Sequence, residues 1–151
     1  MNFESAMRAA LERARFGATA SGDVPVGAVI LNSKNEIIAL ANNTRELLRD
    51  PLGHAELVAI KAAARALGSW RLDGCTLVVT LEPCAMCAGA ILQARIPRLV
   101  FGAWDEKAGA VGSTWDLIRD PRTLHKVEVI SDILSSECSL ILNEFFRDPR
   151  N

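Results

Sequence analysis

Residues 75–87 read CTLVVTLEPCAMC, and this stretch decides how the rest of the chain can fold. Its first seven residues form a continuous apolar run rich in β-branched side chains, which is typical of a buried central strand. Pro83 follows closely, and a proline at a first helical position favours a helix over residues 84–94. A buried strand that leads directly into a helix predicts an α/β domain.

Residues suited to metal binding lie in this helix and in one that precedes the strand. Cys84 and Cys87 are three residues apart, so both sulfur atoms face one side of a helical turn, where the helix dipole favours thiolates. His54 and Glu56 open an Ala- and Leu-rich run over residues 54–67 that predicts the other helix. Two thiolates and an imidazole suit zinc, and three protein ligands leave a fourth position open for water. We therefore expect one Zn²⁺ per subunit, bound by His54, Cys84 and Cys87.

Glu56 is a poor fourth ligand but a good proton carrier. A carboxylate beside the metal can take a proton from water, pass it to a ring nitrogen and protonate a departing amine. A C-x-x-C pair alone is also typical of a redox dithiol or a structural zinc site. The pattern H-x-E followed by P-C-x-x-C, however, is the known signature of zinc-dependent deaminases of cytosine and adenine bases. The two motifs together predict a catalytic zinc with Glu56 as the catalytic residue.

The other segments predict the elements of a three-layer α/β/α sandwich around a mixed sheet of about five strands. An amphipathic helix reaches to about Ala20, and two strands over residues 25–31 and 37–41 form a hairpin. The remaining expected elements are strands over residues 98–102 and 126–130, a short helix in the Gly- and Ala-rich loop between them, and a closing helix over residues 135–147. Repeats, low-complexity tracts and linkers are absent from the sequence, so residues 1–151 are expected to form a single domain.

Composition restricts the class of protein. Half of the 151 residues are hydrophobic, which supports one core without disulfides, so Cys75 and Cys138 are expected to be small buried residues. The sequence has neither a membrane-length apolar run nor a signal peptide, which predicts a cytoplasmic protein. The net charge of −1 argues mildly against a generic nucleic-acid binder but leaves room for a local basic surface.

Four segments resemble the bacterial tRNA-specific adenosine deaminases: VPVGAV at 24–29, TLEPCAMCAGA at 80–90, FGAWD at 101–105 and GAVGS at 109–113. The resemblance extends over essentially the whole chain. It implies a cytidine deaminase-like fold, a homodimer, and hydrolytic conversion of the wobble adenosine of a tRNA anticodon to inosine. Zinc would activate the attacking water, and Glu56 would carry the protons.

The resemblance also implies roles for individual residues. Asn43 would hydrogen-bond the base edge, because an amide both donates and accepts. Asp105 would lie near the sugar of the RNA loop, where contact with a 2′-OH distinguishes RNA from DNA. Val26 and Leu81 would form apolar pocket walls, and the Ala55 N–H would orient the base or the hydroxide. Four of these residues have plainer explanations: Asn43 as a turn residue, Asp105 as a solvated loop carboxylate, and Val26 and Leu81 as core packing.

Trp104 departs from the family pattern, in which a polar or basic residue more often precedes the aspartate. A tryptophan there could stack on a flipped base.

The sequence also leaves two other functions open. One is the same chemistry on a free base or nucleoside such as guanine or cytosine. The other is a non-catalytic RNA-binding protein that keeps zinc for structure, although such a protein has no evident need for Glu56.

Overall fold

A computed structural model that describes residues 2–151 contains five strands and five helices. The strands are β1 (Gly27–Leu31), β2 (Ile37–Asn42), β3 (Thr76–Leu81), β4 (Arg98–Ala103) and β5 (Glu128–Ile130). The helices are α1 (Glu4–Ser21), α2 (Arg45–Leu48), α3 (Ala55–Leu67), α4 (Ala85–Gln93) and α5 (Ser135–Arg147). Along the chain these elements follow the order α1-β1-β2-α2-α3-β3-α4-β4-β5-α5.

The strands form one mixed sheet in the order β2-β1-β3-β4-β5. Strand β1 runs antiparallel to β2 and β3, whereas β3, β4 and β5 are parallel. Val29, Val78 and Val100 lie in register on one face, which α1 and α5 cover. The opposite face, covered by α3 and α4, carries the row Ile30, Leu77 and Leu99. The predicted α/β/α sandwich is therefore confirmed.

Two close approaches show how tightly the α1 and α5 layer packs on the sheet. A Cβ atom at Gly27 would collide with the carbonyl oxygen of Ala10 in α1. A Cβ atom at Gly102 would collide with the sulfur of Cys138 in α5. Only glycine fits at these two contacts, and both strands are thereby held near the helices that cover them. Cys138 and Cys75 are buried free thiols, as their sequence context predicts.

The structure differs from the sequence-based expectations at two connections. The short helix expected between β4 and β5 does not form within the described chain; turns and isolated bridges hold that segment instead. The polar stretch before α3 contains the unpredicted helix α2. No helix within residues 2–151 combines the length and the apolar character that a membrane span requires.

Pro83 does not occupy the first helical position that the sequence suggested. Cys84 is the N-cap of α4, so Pro83 lies one residue before the cap. The reason is that the Pro83 carbonyl accepts a hydrogen bond of 2.8 Å from the N–H of Ala110, which keeps this segment extended beside a later loop. The helix therefore begins at Ala85, and the two cysteines straddle its start.

Candidate metal centre and substrate cavity

The three predicted zinc ligands lie together where two helices begin. His54 is the N-cap of α3, Cys84 is the N-cap of α4, and Cys87 lies in the first turn of α4. The His54 Nδ1 atom lies 3.5 Å from the Cys84 sulfur and 3.4 Å from the Cys87 sulfur. Tetrahedral zinc, with bonds of about 2.1 Å to nitrogen and about 2.3 Å to sulfur, places such atoms about 3.6 Å apart. The donor set and its spacing therefore fit one zinc ion.

Hydrogen bonds among the three groups already favour one thiolate. The hydrogen bond from Cys87 lowers the pKa of Cys84 to about 3, and the hydrogen bond from His54 acts in the same direction. The hydrogen bond with Cys84, followed by burial, raises the pKa of Cys87 above its usual range. The hydrogen bond with Cys84 also raises the pKa of His54. A cation that binds all three groups must displace the proton on Cys87.

Glu56 occupies the second position of α3, close to its N-cap His54. The Glu56 side chain is only 4% exposed, yet it lines the same cavity as His54 and Cys84. Burial raises the pKa of the Glu56 carboxyl above its usual range, because the charged form loses its hydration. A carboxyl whose pKa is raised takes up a proton more readily than a solvated one, which suits a group that must both accept and donate protons in general acid–base chemistry.

A cavity of about 570 Å³ opens beside Glu56, within the range of small-molecule sites in proteins. It collects residues from distant parts of the chain, since the segments before β1 and α2, the end of β3, the segment after β4, and α5 all contribute to its wall. The residues that the sequence analysis selected and that line it are Val26, Asn43, His54, Glu56, Leu81, Cys84, Trp104 and Asp105. Cys87 lies buried beneath this wall.

Asn43 is fixed in place and presents one amide group. Its Oδ1 atom accepts a 2.8 Å hydrogen bond from the N–H of Ala55, and its own N–H donates to the Val26 carbonyl. Over residues 2–151, its Nδ2 group meets no acceptor and is left for a ligand. The Ala55 N–H, which was expected to face the substrate, is thus committed to Asn43. The Ala55 N–H thereby holds the Asn43 amide in its orientation.

Asp105 belongs to a segment without regular structure, residues 104–113, which we call the rim loop. Its Oδ1 atom accepts hydrogen bonds from the N–H groups of Lys107 and Ala108, at 3.1 and 3.2 Å, and so closes a tight turn. Within the described part of the chain, Oδ2 of Asp105 has no donor. One carboxylate oxygen therefore shapes the turn and the other stays free beside the cavity.

The residue that anchors this loop was not predicted from the sequence. Glu82 is only 2% exposed and lines the cavity between Leu81 and the metal ligands. Its carboxylate accepts backbone hydrogen bonds from Asp105, Val111 and Ser113. A charged residue at the end of a buried strand is a signal that the sequence does contain. Its partners, however, lie more than twenty residues later and follow only from the fold.

Basic and aromatic side chains stand around the mouth of the cavity. Arg45 from α2 and Lys107 from the rim loop bring positive charge to it. Trp104 is 42% exposed, and its indole N–H donates a 3.0 Å hydrogen bond to Asp132. Phe146 from α5 is 63% exposed and lines another side. Exposed aromatic rings beside cations are suited to bases and phosphates.

Comparison with known proteins places this arrangement in a family. The sequence model of the MafB19-like deaminases matches residues 1–150. A tRNA-specific adenosine deaminase of Bacillus subtilis (strain 168) is 46% identical over 144 residues, which cover 95% of this chain and 88% of the relative.

Solved structures agree with this placement. A structure from studies of A-to-I editing by tRNA deaminases at the wobble position of transfer RNA is 43% identical, with a TM-score of 0.86. The match covers 90% of this chain and 97% of that one. Guanine deaminase from Nitrosomonas europaea is 26% identical, with a TM-score of 0.78, covering 94% of this chain and 83% of its own. The chain thus belongs to the MafB19-like deaminases and, within them, to the family of tRNA-specific adenosine deaminases.

Proposed function

We propose that this chain converts the wobble adenosine of a tRNA anticodon to inosine by hydrolytic deamination, with residues 1–151 acting as one zinc-dependent domain. Water adds to C6 of the base and ammonia leaves, so the amino group is replaced by a carbonyl oxygen. The main structural support for this function is that Asn43 and the rim loop line the same cavity as Glu56, His54 and Cys84. The 46% identity to a tRNA-specific adenosine deaminase supports the choice of substrate.

The metal would be held by His54, Cys84 and Cys87. When bound, zinc supplies Lewis-acid chemistry that makes water acidic near neutral pH. Glu56 accepts the proton that the attacking water loses, delivers a proton to a ring nitrogen and then protonates the departing amine. The burial that raises its pKa suits both directions of transfer. The carboxyl is held at the start of α3, one residue beyond Ala55 and its Asn43 contact.

Asn43 and Asp105 would orient the nucleoside. The Nδ2 group of Asn43 donates to an acceptor on the edge of the base, while its Oδ1 stays on Ala55. The free Oδ2 of Asp105 accepts a hydrogen bond from the ribose 2′-OH. Val26 and Leu81 supply apolar walls to the base. Asn43 Nδ2 and Asp105 Oδ2 are the atoms assigned to the substrate, because the Oδ1 atom of each side chain is already bound to backbone N–H groups.

An RNA loop fits the surroundings of the cavity better than a free base. Arg45 and Lys107 lie at its mouth, where the phosphates of flanking nucleotides would pass. Trp104 and Phe146 add exposed rings on which neighbouring bases could stack. A nucleotide of an anticodon loop is already unpaired, so turning it into the cavity costs less than extracting it from a duplex.

Sequencing of a treated tRNA tests the proposal. An unmodified tRNA with adenosine at the wobble position is incubated with zinc-loaded protein and reverse-transcribed, because inosine is then read as guanosine. We expect conversion at that position only. The matched control is Glu56→Ala, which should bind zinc normally and lose about a thousandfold in turnover. Full activity of Glu56→Ala would remove Glu56 from the mechanism.

Free guanine, cytosine and their nucleosides are the competing substrates, and a guanine deaminase shares the fold. Ammonia release is therefore measured with each of them beside the tRNA. Deamination of a free base without inosine in tRNA would favour that function. Tight tRNA binding with no ammonia from any substrate would favour a non-catalytic RNA-binding protein instead.

We further propose that the protein acts in the cytoplasm as a homodimer, as its resemblance to the family implies. Helix α4 buries Ala88 and Ile91 but leaves Met86, Gly89 and Ala90 partly exposed, so its outer face is apolar. Light scattering coupled to size exclusion should give twice the chain mass of 16.3 kDa. A mass equal to one chain at the concentrations used for the assay would contradict the dimer.

A further inference from the structure

Glu82 is a buried carboxylate with an unusual set of partners. Its Oε1 atom accepts the N–H of Asp105 at 3.0 Å and the hydroxyl of Ser113. Its Oε2 atom accepts the N–H groups of Val111 at 2.9 Å and Ser113 at 3.1 Å. No cation pairs with it anywhere in residues 2–151. Since an uncompensated buried charge is costly, these four donors must carry its stabilisation.

The rim loop is folded around this carboxylate. A Cβ atom at Gly109 would collide with the carboxyl carbon of Glu82, so only glycine fits there. The N–H of Ala110 donates to Pro83, and the N–H of Glu82 itself donates to Ala103 at the end of β4. Residues 82–83 therefore bind the end of β4 and both ends of the rim loop.

That segment also leads into the metal site. Cys84 follows Pro83, and a bridge pairs Cys84 with Gly109 of the loop. A movement of the loop relative to Glu82 would change the distance between Asp105 and the metal ligands. The mechanism proposed above leaves Glu82 without a part, although no other carboxylate in the described chain joins the metal segment to the substrate-contacting loop.

We propose that Glu82 is a positioning residue, which sets the distance between the metal site and Asp105 and thereby the affinity for the RNA substrate. This inference rests on the proposed function. Glu82 acts through the backbone of Asp105 and does not touch the reacting atoms. Its loss should therefore weaken substrate binding more than it slows the chemical step.

Glu82→Gln tests the idea because an amide has only one acceptor oxygen. Two backbone N–H groups meet Oε2, so the amide oxygen will take that place. The amide nitrogen then takes the place of Oε1, where the Ser113 hydroxyl can rotate and accept from it. The N–H of Asp105 cannot reverse and is left facing a donor. The substitution therefore releases Asp105 selectively and keeps the bonds of Val111 and Ser113.

The experiment compares wild type, Glu82→Gln and the control Ser113→Ala, which removes a donor to Oε1 without touching the Asp105 N–H. Zinc content, kcat and KM for tRNA, and amide hydrogen exchange are measured. For Glu82→Gln we expect full zinc, kcat within about twofold, KM raised about tenfold, and faster exchange at Asp105 but not at Val111. Ser113→Ala should change KM by less than about threefold.

A Glu82→Gln protein with unchanged KM, or one that loses kcat in proportion to lost zinc while KM stays constant, would overturn the proposal. If the Gln variant does not fold, Glu82→Asp decides: it keeps both acceptor oxygens but shortens their reach. A raised KM at full zinc content supports positioning, and an unchanged KM overturns it. Failure of the proposed function can be distinguished from failure of the Glu82 proposal, because in the former case the wild-type protein itself would leave tRNA unchanged.

Discussion

The two sides of the cavity are built in different ways. Its floor, formed by His54, Glu56 and Cys84 with Cys87 buried beneath them, lies at the starts of α3 and α4, so regular secondary structure places each group. The rim loop has no regular structure, and its shape depends on hydrogen bonds to one buried side chain from another part of the chain. The groups that need the strictest geometry are on rigid elements, and Asp105, which we propose contacts the ribose, is on a loop held against them.

A second part of the cavity wall, the segment at α2, is also held by a buried carboxylate. Asp23 is 1% exposed, and its carboxylate accepts the N–H groups of Glu46 at 2.7 Å and Leu47 at 3.3 Å. These contacts hold α2, which carries Arg45 to the cavity mouth. The rim loop and the α2 segment, which carry Lys107 and Arg45 to the cavity mouth, are thus each held by a buried carboxylate that binds backbone N–H groups.

The largest effect should follow from removing a floor ligand. Cys84→Ala leaves only His54 and Cys87, and two ligands hold zinc far more weakly than three. We expect less than about a tenth of the wild-type zinc content and activity at background, as measured by metal analysis and inosine formation. Cys75→Ala, which removes a buried thiol away from the site, is the control and should keep both. Full activity of Cys84→Ala at low zinc would contradict the metal assignment.

In the proposed mechanism Asn43 joins the floor to the substrate, so two substitutions separate its roles. Asn43→Ala loses the acceptor for the Ala55 N–H and should lower the free energy of unfolding by about 1–2 kcal/mol. Asn43→Asp keeps that acceptor but loses the Nδ2 donor. It should keep its melting temperature closer to wild type while kcat/KM falls about tenfold or more. Equal stability of the two variants in thermal unfolding would count against the observed Ala55 contact.

The smallest effect is expected at Trp104, on the outer edge of the rim loop. If its ring stacks on a base, Trp104→Ala should raise KM for tRNA about fivefold with kcat unchanged. Trp104→Phe keeps an aromatic face but loses the bond to Asp132, and should stay within about twofold of wild type. Equal KM values for the Ala variant and wild type would show that this ring makes no contact with the substrate.

The difference between floor and rim loop also explains what the sequence could predict. The metal ligands follow from short motifs, because helix starts and one buried strand place them with local rules. The face of α1 that holds Met7 and Leu11 is buried as its periodicity predicts. The role of Glu82 depends on partners more than twenty residues away, and the N–H of Ala55 is taken by Asn43 through a long-range contact. Such pairings are set by the sheet order, which no local pattern contains.

The expected helix after β4 shows the same limit. Its small residues permit a helix, but Glu82 binds the N–H groups of Val111 and Ser113, which a helix would use internally. A tertiary contact therefore overrides local propensity there. The unpredicted α2 is the converse case, since Asp23 supplies acceptors for the free N–H groups at its start.

The division between floor and rim loop is tested most directly by steady-state kinetics of tRNA deamination with Glu56→Ala and Glu82→Gln, each at measured zinc content. We predict that Glu56→Ala loses about a thousandfold in kcat with KM little changed. Glu82→Gln should raise KM about tenfold with kcat little changed. A loss of kcat without a rise in KM in Glu82→Gln would contradict the separation of chemistry from substrate positioning.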